Sequence, residues 1–500
     1  MRIIIPMTGR SKRFKEVGIN TPKQFLPISN KAIIEHVLEM FPGEKDINFI
    51  VSEEDLLNKD LEHYFKKISN YNLTVIEYQK AGPGAAVLES GLLETTEDVL
   101  INYCDFSNIW DWNEFLSFID KNSPDGVIPA YKGLHPHSIY GNDYAFLKVS
   151  GNYVEDIQEK KSFTDDKINE YASSGSYYFK SGKLAKKYIN KAFHLEKYIN
   201  NEIYISTPYE EMIKDGLNIN FYHIDYFFQW GTPEDYKEFI YNLNEVNNII
   251  SKKKIDLNNE VNLLIPAAGE SKRFKDEGYK TSKIYLDVDG SSILNTIIDS
   301  FNNQLLTKIL IQNKDYLPEK ISNQTNDIIR IENKTSGQAE SAYLLSNNLT
   351  NDNPVLIHSS DCVLDKETII ELGDSDIIVF TKKNYRRGFE NKNNYGWINP
   401  NKGLVESLSI KTEPLSESSN IIIGTFLFKN KYLYEELYLE TQKLNGSDLK
   451  EIHIDHLIET AVNKGLKVSE VCSEKSIMLG IPLEYELFLY MKTVNEYLNR

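Results

Sequence analysis

The sequence predicts two α/β/α units in tandem, each built on a largely parallel sheet with helices on both faces. The first observation behind this is a repeat. Residues 1–41 align without a gap with residues 261–301, so that Ile5, Pro6, Gly9, Ser11, Lys12, Arg13, Phe14, Lys15, Gly18, Thr21, Lys23, Leu26, Ile33 and Phe41 all recur. The second is that the register survives to the end. Gly175-x-x-x-Phe179-Lys180 meets Gly424-x-x-x-Phe428-Lys429, Glu202-Ile203-x-Ile205 meets Glu451-Ile452-x-Ile454, and Gly231-x-Pro233-x-x-Tyr236 meets Gly480-x-Pro482-x-x-Tyr485, all at one constant offset. The third is the alternation of short apolar runs with helical patterns, which favours a parallel sheet covered on both faces. A chain of 500 residues would ordinarily suggest about three domains. The repeat replaces that expectation with a domain over 1–246, a polar linker over 247–260 containing Ser251-Lys252-Lys253-Lys254, and a second domain over 261–500. A period this long is not that of a solenoid, so each unit should fold as a complete domain.

Within the first unit, Arg2–Pro6, Ile47–Ser52, Leu73–Tyr78, Val99–Asn102 and Gly126–Ala130 read as strands. Lys31–Phe41, Ser52–Ile68 and Pro83–Leu93 read as the intervening helices. After Tyr144 the pattern becomes irregular and more β-like, with Tyr144–Val149 and Gly175–Phe179, which suggests an acceptor-binding region grafted on the first half of the sheet. Ligands in such folds sit beyond the carboxyl ends of the strands.

Composition narrows the function classes. Charged residues are 26% and apolar residues 41% of the chain, the mix of a globular protein. With 56 Lys and Arg against 73 Asp and Glu, the net charge of −17 argues against a nonspecific grip on nucleic acid or an anionic bilayer. Small anionic substrates need only a local positive pocket and stay allowed. No run of about 18 apolar residues occurs, and the opening Met1–Pro6 is too short for the apolar part of a signal peptide. Cys104, Cys362 and Cys472 are odd in number and form no CxxC pair, so they are expected to be reduced thiols of a cytoplasmic protein.

The first candidate site follows the first strand: Gly9-Arg10-Ser11-Lys12-Arg13-Phe14, with Lys23 further on. A loop leaving a strand and entering a helix presents backbone N–H groups that can cradle phosphates, and Lys12, Arg13 and Lys23 could neutralise a triphosphate. A single such loop is equally well a basic surface loop. Its second copy, with Gly269, Ser271, Lys272, Arg273, Phe274 and Lys283, tips the balance to a phosphate site.

The order strand, GxxxRF, then PK resembles the signature of the nucleotidylyltransferase superfamily, the nucleotide-sugar pyrophosphorylases, and the resemblance covers most of both units. It implies Rossmann-like α/β/α domains of the nucleotide-diphospho-sugar transferase (GT-A-like) kind. It also implies Mg²⁺ as cofactor, held by Asp105 in Asn102-Tyr103-Cys104-Asp105-Phe106 and by Asp361 in the second unit. Glu159-Lys160 resembles the acceptor-binding pair, with Lys411 as the later counterpart and Ile410 in place of the acid. Gly82-Pro83-Gly84-Ala85-Ala86 and Gly337-Gln338-Ala339-Glu340-Ser341 resemble the base-contacting loop, giving Gly82, Gly84, Gly337 and Gln338 as nucleotide-binding candidates. Gly231-Thr232-Pro233-Glu234-Asp235-Tyr236 looks like the late GTPEDY-type element, and Gly480-Ile481-Pro482-Leu483-Glu484-Tyr485 is its weaker copy.

The sequence departs from the family pattern GxG[ST]R by placing Ser11 and Lys12, and Ser271 and Lys272, at the second Gly and the Ser/Thr positions, a change expected to reshape the loop. The second metal carboxylate is also missing. Gln229 and Met478 stand where it is expected, leaving Asp225, and at the equivalent position Glu474, as upstream candidates. His135 and His137 lack a third ligand nearby, His453 and His456 read as capping or lining a helix, and Cys104 reads as a small buried residue at a strand end.

The resemblance implies transfer of NMP from an NTP to a phosphorylated acceptor with release of pyrophosphate, the acceptor being a sugar phosphate for capsule or surface-glycan precursors or another small phosphate of the phosphocholine type. In that reading Arg13 and Arg273 hold the leaving phosphates, Lys23 and Lys283 contact the α-phosphate, and Lys160 orients the acceptor phosphate. The stretch Pro22–Ile28 resembles methylerythritol-phosphate cytidylyltransferases and slightly favours CTP, with UTP, dTTP and GTP open. Three alternatives stand beside it: a bifunctional enzyme with two acceptors, one active unit with a degenerate regulatory copy, and a GT-A glycosyltransferase. The last is disfavoured because neither Asp105 nor Asp361 belongs to a DxD.

Overall fold

The computed structural model describes residues 1–56, 65, 71–78, 80–139, 144–256, 261–302, 306–312, 327–383, 385–445 and 451–500. The helix expected over Ser52–Ile68 is described only at its start, Glu53–Leu56, and at residue 65; its remaining residues lie outside the described set. Packing divides the chain into one unit of Met1–Asn242 with Tyr490–Arg500, and a second of Leu243–Leu489. This differs from the division expected at 247–260. The helix Pro233–Ile250 runs into that stretch, and the helix Pro482–Leu498 likewise spans a boundary.

In the first unit ten strands form one sheet: β1 (Arg2–Pro6), β2 (Ile47–Ser52), β3 (Asn72–Ile76), β4 (Val99–Asn102), β5 (Gly126–Tyr131), β6 (Ala145–Ser150), β7 (Tyr153–Glu159), β8 (Tyr171–Ser173), β9 (Ser176–Phe179) and β10 (Ile219–His223). Their order is β8-β6-β7-β10-β5-β9-β4-β1-β2-β3. The block β3-β2-β1-β4 is parallel, as the alternating pattern predicts. β1 is central and apolar throughout its middle, with Ile3, Ile4 and Ile5 fully buried, as a strand covered on both faces requires. β9 reads only as a β-like fragment in the sequence. It enters antiparallel between β4 and β5, so the sheet is mixed and β5 is separated from the parallel block. Ser176 explains part of that insertion, because its hydroxyl donates to Asn102 Oδ1 at 2.6 Å and joins the edge of β9 to the end of β4.

The second unit holds β11 (Asn262–Pro266), β12 (Leu306–Gln312), β13 (Asp327–Ile331), β14 (Val355–His358), β15 (Ile377–Lys382), β16 (Gly396–Asn401), β17 (Leu404–Ile410), β18 (Asn420–Phe428) and β19 (Val468–Cys472). Their order, β13-β12-β11-β14-β18-β15-β19-β17-β16, repeats that of the first unit from β3 to β6 strand for strand. A large apolar core built on Leu264, Ile357, Phe426 and Leu457 lies beneath this sheet.

Within the second unit a buried ionic cluster ties the end of the helix Pro233–Ile250 to the sheet. Lys382 Nζ lies 2.6 Å from Glu245 Oε1, and Arg387 Nη2 lies 3.2 Å from Glu245 Oε2, all three side chains being nearly inaccessible. In the first unit Tyr490 does comparable work: its hydroxyl donates to the Phe227 carbonyl at 2.6 Å and accepts from the Phe227 N–H at 2.9 Å. Removing one member of a buried ion pair leaves the others desolvated and uncompensated. Glu245→Ala is therefore expected to destabilise the second unit by about 3–5 kcal/mol, read as a lowered denaturation midpoint of the full chain. An unchanged midpoint would mean that Lys382 and Arg387 are held by other groups.

Candidate functional site

The site of the first unit forms where two parallel neighbours end. β1 stops at Pro6 and β4 at Asn102. The loop through Gly9 and Ser11 and the segment Tyr103-Cys104-Asp105 therefore leave the sheet at the same edge. Ser11 adopts the left-handed conformation, φ 49°, which disfavours a residue with a side chain. Its hydroxyl accepts the Lys23 N–H at 3.1 Å. Serine at this position thus sits in a left-handed turn and tethers Lys23. The tether seats Lys23 on the short turn Lys23–Phe25, and the Lys23 ammonium pairs with Asp105 Oδ2.

The late motif packs behind this pair. The Trp230 N–H donates to the Asp105 carbonyl at 2.8 Å, and a Cβ at Gly231 would stand 2.9 Å from Asp105 Oδ2. A side chain there would push the Asp105 carboxylate aside, because the backbone passes directly over it. Burial works against the Lys23 ammonium, but the Asp105 carboxylate outweighs it and holds the lysine above its ordinary value. Arg13 is exposed, and its positive charge acts on both Lys23 and Tyr204. Lys12 points away into solvent, 3.7 Å from Glu16 on its own helix, and is not brought to the pair.

Gly82 and Gly84 serve a close backbone approach. Gly82 has φ 84°, and a Cβ there would lie 2.7 Å from Glu202 Cβ. Gly84 donates its N–H to the Ile203 carbonyl at 3.0 Å. The segment they press on carries residues that the sequence reading missed. Lys160, itself left-handed at φ 55°, donates to the Tyr204 hydroxyl at 2.9 Å. The Ser206 hydroxyl donates to Glu159 Oε2. An open depression of about 260 Å³ adjoins Glu159 and Ser206 and is lined also by Gln158, Lys197 and Thr207. Tyr204 and Ser206 escaped notice because they fall at positions where the two halves differ, so the repeat did not mark them. Arg10, also unmarked, lies 2.7 Å from Glu54 and 4.0 Å over the Tyr78 ring.

The second unit reproduces the pair. Ser271 is left-handed at φ 51° and accepts the Lys283 N–H at 3.0 Å, and the Lys283 ammonium pairs with Asp361 Oδ2. Burial pushes the Asp361 carboxyl up, but the Lys283 charge and the Ser359 hydroxyl outweigh it and hold it below the usual aspartate range. Gly480 passes close to that carboxylate, its Cβ position lying 3.2 Å from Asp361 Oδ2. Arg273 donates to Asn394 Oδ1 at 3.1 Å, and Lys272 is exposed. Gly337, at φ 132°, passes over Glu451 and Ile452 as Gly82 passes over Glu202, and Gln338 reaches the Gly424 carbonyl at 3.4 Å. Gly9 and Gly269 have open space where a Cβ would stand. Lys411, left-handed at φ 52°, faces Asp455, whose carboxyl burial pushes up to about 6 while the Lys411 charge works to lower it.

Among the described residues no group of three or more His, Cys, Asp or Glu side chains could hold a metal ion. Asp225 is not brought to Asp105. It is exposed beside His223, at the opposite end of the hairpin in which Gln229 pairs with Phe106 and Tyr226 with Ile109. Four residues of strand separate it from Gln229, roughly 13 Å. Asp105 and Asp361 each offer one hard oxygen donor. Such a set fits Mg²⁺ held by a single carboxylate together with substrate phosphates and water. His135 bonds the Tyr490 hydroxyl at 2.8 Å and His137 the Tyr131 hydroxyl at 2.9 Å, and burial lowers both imidazoles, His135 to about 4. His456 Nδ1 accepts the His453 N–H at 3.0 Å at the start of the helix Ile454–Asn463, which is a cap.

The nucleotidyl transferase family model matches residues 3–245. A bifunctional sugar-1-phosphate nucleotidylyltransferase/acetyltransferase of Sulfurisphaera tokodaii is 31% identical over 22% of this chain and 26% of its own length. A 2-C-methyl-D-erythritol 4-phosphate cytidylyltransferase of Neisseria gonorrhoeae is 30% identical over 20% of this chain and 44% of its own length. The chain thus matches less than half the length of these curated relatives. Among solved structures, a nucleoside-diphosphate-sugar pyrophosphorylase from Vibrio cholerae RC9 aligns with 48% of this chain and 99% of its own, at 20% identity and a TM-score of 0.38. Residues 3–245, just under half of the chain, thus match the nucleotidyl transferase family.

Proposed function

We propose that the chain transfers a nucleoside monophosphate from an NTP to a small phosphorylated acceptor, with one such centre in each of two tandemly duplicated units. The observation that carries this reading is the serine-tethered lysine paired with a strand-end carboxylate, Lys23 with Asp105 and Lys283 with Asp361. An oxygen of the acceptor phosphate attacks the α-phosphorus, the bond to the β-phosphate breaks, and pyrophosphate leaves. The nucleophile is already ionised, so the protein has to align two anions and neutralise charge. Arg13 takes the β- and γ-phosphates at the open mouth. Lys23 exchanges Asp105 for the α-phosphate, and Lys160 orients the acceptor phosphate. Asp105 and Asp361 would hold Mg²⁺, which when bound supplies charge neutralisation on the phosphates.

The named relatives support the substrate classes: a sugar 1-phosphate as acceptor, with CTP slightly favoured as donor. Supply of precursors for a capsule or surface glycan from the cytoplasm fits that chemistry. No described helix is long and apolar enough to cross a membrane. A second reading, in which the later unit is a degenerate copy, is favoured by Ile410, Ile481 and Leu483. It is opposed by the intact Lys283–Asp361 pair.

Assaying the full chain for pyrophosphate release with CTP, UTP, dTTP and GTP and a panel of phosphorylated metabolites tests the reading. Lys23→Ala should lower first-unit turnover about 100- to 1,000-fold with unchanged circular dichroism, and full retained rate would remove Lys23 from the reaction. Chelation by EDTA should abolish release, and added Mg²⁺ should restore it; chelator-resistant turnover would contradict the assigned role of Asp105. The lowered Asp361 carboxyl also sets a pH dependence. Its stabilising contribution is present above the ordinary aspartate value of about 3.9 and is lost as pH falls through its lower folded value. Acid denaturation of Asp361→Asn should therefore be less steep below about pH 4 than that of the unaltered chain, and parallel curves would mean the pair adds no stability.

A further inference from the structure

The two units differ beside a strand pairing and a left-handed lysine that both share. β7 ends at Glu159, opposite Ala145 on β6, and β17 ends at Ile410, opposite Gly396 on β16. Each is followed by a left-handed lysine, Lys160 or Lys411, whose N–H donates to a tyrosine carbonyl, Tyr144 at 2.8 Å or Tyr395 at 3.0 Å. The carboxylate of the first unit therefore has no counterpart on the strand of the second.

It has one on the helix instead. Ser206, which donates to Glu159, precedes the helix Thr207–Lys214, and at the equivalent position Asp455 stands in the first turn of the helix Ile454–Asn463. The Asp455 carboxylate lies directly over Gly396, where a Cβ would collide with it. Three positions have thus changed together: Ala145 to Gly396, Glu159 to Ile410, and Ser206 to Asp455. The acid moves from strand to helix, and the glycine opposite Ile410 clears the space it occupies. The lysine's neighbour changes as well, since Tyr204, bonded to Lys160, is matched by His453.

The state of the carboxylates differs too. One Glu159 oxygen is taken by Ser206 and the Lys160 ammonium by Tyr204. Among the described residues Asp455 and Lys411 make no side-chain hydrogen bond to another side chain, while the Lys411 charge faces the Asp455 carboxylate. The Asp455 carboxylate accepts from its own backbone N–H and keeps acceptor capacity for a neighbouring hydroxyl, and the adjacent ammonium suits a phosphate.

We propose that Asp455 is the acceptor-binding carboxylate of the second unit and that, with Lys411, it selects a phosphorylated polyol different from the acceptor of the first unit. This rests on the nucleotidyl-transfer reading above. The test uses the full chain silenced in one unit at a time, by Lys23→Ala or by Lys283→Ala. Each is assayed for pyrophosphate release with the four NTPs against glucose 1-phosphate, inositol 1-phosphate, 2-C-methyl-D-erythritol 4-phosphate and phosphocholine. The expected result is a different acceptor ranking for the two chains. In the Lys23→Ala chain, Asp455→Asn should raise KM for the preferred hydroxylated acceptor about tenfold or more, with the KM for NTP unchanged. The combination Gly396→Ala, Ile410→Glu and Asp455→Ser should move the ranking toward that of the first unit. Identical rankings, or an Asp455→Asn loss shared equally by acceptor and NTP, overturn the proposal and leave nucleotidyl transfer standing. So does a silent second unit beside an active first. Absence of pyrophosphate release from both chains and from the unaltered protein overturns the underlying reading itself.

Discussion

The centre of each unit depends on two strands being parallel neighbours. Lys23 and Asp105 are separated by 82 residues, yet they meet because β1 and β4 run side by side and release their carboxyl ends at one edge. The same adjacency of β11 and β14 brings Lys283 to Asp361. In the first unit the Asp105 carboxylate holds the Lys23 ammonium above its ordinary value, and in the second the Lys283 charge holds the Asp361 carboxyl below the usual aspartate range.

Serine in place of glycine in the loop shows how a departure from a family pattern can be absorbed. A left-handed residue with a side chain carries a conformational cost of about 1 kcal/mol. Here the side chain is also the acceptor for the lysine N–H, so the strained residue and the charged residue are fixed by one contact. Both copies keep the serine, the left-handed angle and the bond. Beside Lys160 and Lys411 the units diverge: a carboxylate on the strand in the first is replaced by one on the helix in the second, over a glycine, with the strand pairing around them kept.

Much of this was legible in the sequence. The repeat indicated two units and flagged Ser11, Arg13 and Lys23 with their partners, because identical residues in an ungapped alignment stand out without any structure, while Asp105 and Asp361 were marked by the family-like strand-end segment. The central strands of the parallel block were legible because β1 and β4 are short, buried, mainly apolar runs. The inserted antiparallel β9 was not, since its short run carries no sign of direction. Lys12 looked equivalent to Arg13 in sequence, but successive residues of a helix point in different directions, and only one lies toward the site. Asp225 looked acidic and near the late motif, whereas an extended hairpin carries it away from Asp105.

The sequence by itself determined the duplicated architecture and the cationic loop, since both are local patterns written twice. Tertiary structure alone decided which charges meet and that Asp455 stands over Gly396. It also decided that the chain divides within two helices and not in the polar stretch between them. Those outcomes depend on which strands become neighbours and which helix lies over them, and such contacts join residues with no fixed spacing along the chain.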